Sequence, residues 1–127
     1  HWLIDLRIAA SAALEEAFEA GQLDIVVLRR FGPGRTGEVL RRDGFGWFAA
    51  PGLVRREGEP LPLVNLMAEC GLRRLATQAL AEAGIAWREA FIGGGMAAVL
   101  AAVQGGLGVS PLATRIAPVG AVDVASD

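Results

Sequence analysis

Three places in the sequence carry residues that could hold a small anion. Ser11 stands where an amphipathic helix is predicted to begin, and Gly93-Gly94-Gly95 precede a second predicted helix that begins at Met96. The unpaired N–H groups at the start of a helix bind carboxylates and other anions. Arg29 follows an apolar run, where a guanidinium group could hold a carboxylate through two parallel hydrogen bonds.

Each of these residues also has a purely structural interpretation. Ser11 could serve only as a helix N-cap, and Arg29 could be a solvated loop arginine beside Arg30. The three glycines could form a tight turn that needs positive φ. With glycine at position 95 there is no side-chain hydroxyl, so only backbone donors remain there. The residues themselves leave both interpretations open.

The sequence gives little support for catalysis, metal binding or nucleotide binding. Gly93 to Ala98 fits a Gly-x-Gly-x-x-Ala dinucleotide fingerprint, but that motif needs an acidic residue about twenty positions on, and none occurs between Glu89 and Asp123. The chain has one cysteine, Cys70, and one histidine, His1, so neither a Cys–His pair nor metal-ligand spacing is present. We therefore expect no enzyme activity and no cofactor.

The elements that must position these residues follow one repeated order. An amphipathic helix, a glycine stop and an apolar strand occur three times, with Gly21, Gly84 and Gly105-Gly106 as the stops. This order predicts an α/β protein with a parallel sheet. The helices are predicted at 11–20, 71–83 and 96–103, and the strands at 3–8, 23–28, 45–50, 63–66, 85–92, 107–112 and 119–124. On the second helix, Leu72, Leu75, Ala76, Ala79 and Leu80 are predicted to face inward and Arg73 outward.

Composition narrows the class of protein. The chain has 127 residues, of which 53% are apolar and 20% charged, which is typical of one globular domain. A net charge of −2 gives no general attraction to nucleic acid or anionic membranes. A single cysteine fits a reducing compartment, and neither a signal peptide nor a membrane span is visible. We therefore expect a cytoplasmic protein without a membrane partner.

The motifs taken together resemble the effector-binding domain of LysR-type transcriptional regulators. The family pattern for a helix followed by a strand is matched by Ser11, Leu14, Gly21, Leu23 and Asp24. The family pattern before a later strand is matched by Ala83-Gly84-Ile85. A crossing segment that ends in Pro-Leu matches Pro60-Leu61 or Pro62-Leu63. The late signature matches Val103-Gln-Gly-Gly-Leu-Gly-Val-Ser-Pro-Leu112 and differs only in the place of the proline. The ordered combination, rather than any one motif, carries the resemblance.

The resemblance implies a two-lobed fold of the type 2 periplasmic-binding-protein class, with the first lobe incomplete in this chain. Residues 1–53 would be part of the first lobe and residues 54–127 the second, with 54–62 as the passage between lobes. The family's further strand and helix would precede His1, and a final strand and helix would follow Asp127.

The resemblance also implies a function. A small effector, such as a carboxylate, would bind in the cleft between the lobes, held by Ser11, Arg29, Gly94, Gly95 and Met96. Its binding would change the orientation of the lobes, and DNA-binding domains of the helix-turn-helix type, absent from this chain, would respond. The assembly would be a homodimer or a tetramer. Two alternatives stay open: a solute-binding protein of a transport system, and a nucleotide-binding α/β enzyme.

Overall fold

The computed structural model describes residues 2–30, 37–67, 71–118 and 120–123. By its contacts the chain divides into two units, His1–Arg35 and Thr36–Asp127, and each is described by itself. The predicted lobe boundary between residues 53 and 54 stays a prediction.

The first unit holds one helix, α1 (Ser11–Glu19). The predicted strands at 3–8 and 23–28 are wrong: residues 2–10 and 25–30 belong to no strand, and none of the side chains from 2 to 30 is buried. A strand exists only when its N–H and C=O groups pair with a neighbour. The two apolar runs have the composition of buried strands, but no ladder forms between them.

The second unit contains every strand of the described residues. In chain order its elements are β1 (Phe45–Ala49), β2 (Leu61–Leu66), α2 (Gly71–Glu82), β3 (Trp87–Gly93), α3 (Met96–Gln104), β4 (Ser110–Ala113) and β5 (Val122–Asp123), with a 3₁₀ turn at Thr114–Ile116. The sequence places all of these strands and both helices, with ends that differ by up to three residues. Position 119 and positions 124–127 lie outside the described residues.

The strands form a mixed arrangement, so the prediction of a parallel sheet is only half right. β2 and β3 pair in parallel, and Leu63 forms a parallel bridge with Val109, just before β4. β1 lies between β4 and β5 and is antiparallel to both. Hydrogen bonds from Val64 N to Val109 O (2.9 Å) and from Val109 N to Pro62 O (2.8 Å) join the two groups of strands.

The two helices of this unit are linked to residues on opposite faces of β2. Val64 faces the main core cluster, which α3 completes with Val99 and Val103. Side chains alternate along a strand, so Asn65 points to the other face. There it reaches Glu89, which binds Arg73 of α2. Apolar burial on the α3 face and a polar link on the α2 face therefore hold the unit together.

All three helices end in the same glycine motif, as predicted. The residue after the C-cap is glycine with positive φ: 77° at Gly21, 68° at Gly84 and 77° at Gly106. In each case this glycine and the residue after it donate to carbonyls of the last turn, for example Gly84 N to Ala81 O (3.1 Å) and Ile85 N to Leu80 O (2.9 Å). This is the Schellman motif, which needs a left-handed residue that glycine adopts without strain.

The inward face of α2 is narrower than predicted. Ala76 and Leu80 are buried, whereas Leu75 is 47% exposed and Ala79 is exposed as well. Arg73, predicted to face outward, is half-buried against Glu89. A two-stranded parallel pair offers α2 only a narrow surface, so fewer of its apolar positions find cover.

Candidate functional site

Three strands of the second unit end at one edge of the β structure. β2, β3 and the segment that leads into β4 run in the same direction, so their carboxyl ends lie on the same side. A hydrogen bond from Met67 N to Gly93 O (2.8 Å) joins the ends of β2 and β3. We call the residues that follow these ends the carboxyl edge: Met67, Gly94, Gly95, Met96, Thr114 and Arg115. Ligands of open α/β sheets bind at such an edge.

The start of α3, at the carboxyl edge, is open. Gly95 is the N-cap, with φ −155° and ψ 165°, and no side chain caps the helix. A Cβ atom added at Gly94 or Gly95 would meet no atom within 4 Å. The N–H groups of the first turn have no acceptor inside the helix. Because no side chain of the described residues caps them, they are donors at the positive end of the helix dipole, which suits an anion.

The interpretation of these glycines as a positive-φ turn is wrong. Positions 93, 94 and 95 are absent from the glycines with positive φ, and the backbone at Gly95 is extended. Gly93 has a packing reason instead, because its Cβ would lie 3.0 Å from Val99 Cγ2 and 3.1 Å from Phe91 Cε1. Gly94 and Gly95 have no such neighbours.

Met96 takes part in the site through its backbone. Its side chain is half-buried and packs against the core cluster around Val99 and Val103. The thioether is thus committed to packing, and the N–H group is what Met96 offers at the helix start.

Sequence reasoning missed Thr114 and Arg115. Arg115 Nε donates to Asp43 Oδ1 (2.7 Å) and Arg115 Nη2 to Asp43 Oδ2 (3.2 Å), a bidentate pair across 72 positions. Thr114 N donates to Gly44 O (2.8 Å), beside the same pair. The available signal was a basic residue three positions after the predicted strand at 107–112, which is similar to the signal that pointed to Arg29.

The hydrogen bond to Asp43, with the attraction between the opposite charges, raises the pKa of Arg115. A raised pKa on a basic group stabilises the fold below the unfolded-state pKa, and that stabilisation is lost only as the pH rises through the folded-state pKa. For an arginine that point lies above the pH range of any binding experiment. The cation at this edge is therefore constant with pH.

In the first unit, the structure brings Ser11 and Arg29 together. Arg29 N donates to Ser11 Oγ at 3.1 Å, across 18 positions. The N-cap of α1 is Ala10, and Ser11 is the first helical residue, so the N-cap interpretation of Ser11 is wrong. Its hydroxyl oxygen accepts from the chain after the apolar run instead of from the first turn.

A polar network lies behind the carboxyl edge. Asn65, 3% exposed, donates through Nδ2 to Glu89 Oε2 (2.9 Å), and Arg73 in the first turn of α2 pairs with Glu89 Oε1. No buried side-chain polar atom of the described residues lacks a partner. The network ties the start of α2 to β2 and β3.

The described part of the chain shows neither a cluster of metal ligands nor a helix that could span a membrane. Within it, no three His, Cys, Asp or Glu side chains gather as metal ligands. None of its helices has the length and apolar character needed to cross a bilayer. Cys70 and His1 lie outside the described residues.

Comparison with known proteins decides the family. Residues 1–121 match the family described as the LysR substrate binding domain. The chain belongs to this family. It is also similar to the HTH-type transcriptional regulator PecT of Dickeya dadantii (strain 3937), with 29% identity over 107 residues, which are 84% of this chain and 34% of the relative. The chain thus spans about a third of the length of that regulator.

As a LysR substrate-binding domain, the chain has the periplasmic-binding-protein-like fold that the family implies, and the resemblance seen in the sequence is confirmed. The family is one of transcriptional regulators. Of the predicted site residues, Gly94, Gly95 and Met96 meet at the carboxyl edge of the second unit, and Ser11 and Arg29 meet in the first. Their role in effector binding stays a prediction.

Proposed function

We propose that this chain is the small-molecule sensor of a LysR-type regulator and has no enzymatic activity. The effector binds in the cleft between a first lobe, represented by residues 1–53, and a second lobe, residues 54–127. Binding biases the orientation of the lobes and thereby controls DNA binding and transcription.

The observation that carries this proposal is the start of α3. Bare N–H groups, an extended N-cap glycine and open space around Gly94 and Gly95 stand at the carboxyl edge. No side chain of the described residues caps this helix, so a ligand carboxylate is the natural acceptor. Because glycine leaves room where a side chain would stand, a bulky or apolar body beside the carboxylate fits best.

We propose that Ser11 and Arg29 contribute the second wall of the cleft. The hydrogen bond from Arg29 N to Ser11 Oγ fixes the position of the hydroxyl group, which still has a proton to donate to a ligand. The guanidinium group of Arg29 would hold the carboxylate from this side. Met96 contributes its N–H group.

The partners follow from the family. DNA is bound through a helix-turn-helix domain outside this chain, and the relative PecT is named as a regulator of the HTH type. We propose a homodimer or tetramer that works in the cytoplasm, without a cofactor.

Gly95→Asp tests the proposal, with Gly95→Asn as its matched control. Both residues cap helices well, and the extended backbone at Gly95 accepts either without strain, so the unliganded stability should stay level or rise by a few tenths of a kcal/mol. Only aspartate adds a negative charge at the anion position. We expect aspartate to weaken carboxylate binding at least tenfold and asparagine to weaken it less, because the amide oxygen competes for the same N–H groups but carries no charge.

The measurement is thermal unfolding of the full-length regulator against benzoate, salicylate and 2-oxoglutarate, followed by calorimetric titration of any stabilising compound. A ligand stabilises the folded state according to its concentration relative to Kd, so the shift reports affinity. Equal binding by the aspartate and asparagine variants would remove the helix start from the site. Absence of binding by every carboxylate would overturn the ligand class.

A further inference from the structure

The second unit has a recess at the end opposite to the carboxyl edge. It is open to solvent and has a volume of about 430 Å³, beside the amino ends of β2 and β3 and the carboxyl end of α3. This volume is within the range of about 300–1,000 Å³ that small-molecule sites occupy. We call it the amino-edge recess. It is separate from the effector position proposed above, because the strands and α3 lie between them.

Apolar side chains form part of the recess wall, beside charged and polar groups. They come from three parts of the chain: Leu53 from the turn after β1, Pro62 from β2, and Leu107 from the segment after α3. Hydrogen bonds fix each part. Leu53 N donates to Ala50 O (3.2 Å), Leu107 N to Ala102 O (3.1 Å), and Val109 N to Pro62 O (2.8 Å). The backbone of these three parts is therefore held in place.

Charged side chains of both signs line the recess. Arg55 and Arg88 are basic, and Glu59 is acidic. Arg55 Nε donates to the backbone oxygen of Glu59 (3.2 Å), which holds the arginine against its own turn and leaves the terminal guanidinium nitrogens to a ligand. Among the described residues, no side chain pairs with Arg88 or with the carboxylate of Glu59.

The two arginines and the glutamate together determine which charged groups a bound ligand can carry. Two arginines suit a carboxylate. Glu59 opposes a ligand with two anionic groups and suits an ammonium group, and the carboxyl end of α3 adds the negative end of a helix dipole on the same side. An apolar body between the charges would lie against Leu53, Pro62 and Leu107.

We propose that the amino-edge recess binds a free α-amino acid with an apolar side chain, as a second ligand site distinct from the effector site. Its carboxylate pairs with Arg55 and Arg88, its ammonium group with Glu59, and its side chain lies on the apolar walls.

The experiment titrates the full-length regulator with L-phenylalanine, and with 3-phenylpropanoate and phenethylamine, which each lack one charged group. We expect saturable binding of L-phenylalanine, at least tenfold weaker binding of each analogue, and at least a tenfold loss with Arg88→Gln. Arg74→Gln is the matched control, because Arg74 is an exposed arginine on α2 outside the recess. It should leave the affinity unchanged.

Three results would overturn this proposal: no saturable binding of L-phenylalanine, equal affinities of the Arg88→Gln and Arg74→Gln variants, or equal binding of all three compounds. Gly95→Asp separates the two sites. Binding of L-phenylalanine that is lost in Gly95→Asp and kept in Arg88→Gln would place the amino acid at the carboxyl edge, which contradicts the recess and supports the proposed effector position. Binding kept in Gly95→Asp and lost in Arg88→Gln supports the recess, whatever the outcome for the effector.

Discussion

Gly108 controls how closely the chain before β4 approaches β2. A Cβ atom at this position would lie 2.6 Å from Pro62 O and 3.1 Å from Pro62 C, both backbone atoms. The hydrogen bond from Val109 N to the same Pro62 oxygen forms because nothing larger than a hydrogen stands at Gly108. One absent side chain therefore lets β2 join the group of β1, β4 and β5.

We expect Gly108→Ala to lower the free energy of unfolding by about 1–3 kcal/mol, because a buried backbone contact must open to admit the methyl group. Gly94→Ala is the control and should change stability by less than about 0.5 kcal/mol, since its Cβ would meet no atom within 4 Å. Urea unfolding of both variants measures the difference. Equal stabilities would mean that the chain at Gly108 is free to move away from Pro62.

At the scale of single residues, some features are predictable from the sequence and others are not. Gly84 and Gly106 are readable as helix stops because each comes directly after an amphipathic run. The contact at Gly108 is between residues 46 positions apart, and nothing in the spacing indicates it. Arg115 was within reach of the reasoning that found Arg29, but its partner Asp43 lies 72 positions away and depends on the antiparallel pairing of β1 with β4.

At the scale of elements, α2 is attached to the strands by charge as much as by apolar packing. Only Ala76 and Leu80 are buried on this helix, whereas Arg73 reaches Glu89, which also accepts from Asn65. The register places Leu63 opposite Glu89 and Asn65 opposite Ile92, with an irregularity after Leu63. That irregularity gives β3 one extra residue, Ala90, in this interval.

Removing Glu89 should therefore loosen α2. Glu89→Ala leaves the buried amide of Asn65 without its acceptor, and we expect a loss of about 1–3 kcal/mol in the free energy of unfolding. Glu82→Ala is the matched control, because Glu82 makes an exposed contact with Gln78 (3.2 Å) on the same helix and should cost no more than about 0.5 kcal/mol.

Glu89→Gln separates the two contacts of this side chain. Its amide oxygen can still accept from Asn65, but the charge opposite Arg73 is gone, so the loss should lie between those of the alanine variant and the control. Urea unfolding ranks the three variants. A Glu89→Ala variant no weaker than Glu82→Ala would contradict the network.

Helix ends were predictable because neighbouring residues in the sequence define them. Strand pairing was predicted wrongly where it depends on a partner strand far away in the sequence. The glycine stops gave the ends of α2 and α3 to within one residue. The runs at 3–8 and 23–28 have the apolar composition of strands, yet strand formation depends on pairing that the runs themselves do not encode. The reversed direction of β1 relative to β4 is likewise a property of the whole arrangement.

The whole molecule combines a unit with a core and a unit without one. The core cluster in 36–127 includes Val64, Val99 and Leu112, each at most 1% exposed. In the described residues of 1–35, Leu3, Ile4 and Ile8 are each more than 80% exposed, and no side chain is buried. Protection of backbone N–H groups depends on burial and on stable hydrogen bonds.

Hydrogen exchange on the 127-residue chain should therefore show two regimes. We expect residues 2–10 and 23–28 to exchange almost at the unprotected rate, and β2 and the part of α3 beyond its first turn to exchange only through global unfolding. Mass spectrometry of peptides from both units measures this. Protection of residues 2–10 equal to that of β2 would contradict the description of the first unit, and a concentration-dependent rise in that protection would indicate cover by a second copy.

If the start of α3 holds the effector, as proposed above, its open space has a consequence for how this domain could diverge. Most substitutions in a binding site threaten the fold, and a protein near its stability threshold tolerates few of them. Gly95 is extended, and a Cβ there would meet open space, so almost any side chain can be placed at the helix start without strain. A single codon change could then add a hydroxyl, a charge or bulk beside the ligand. Gene duplicates that acquire such changes could turn to new inducers while their scaffold stays unaltered.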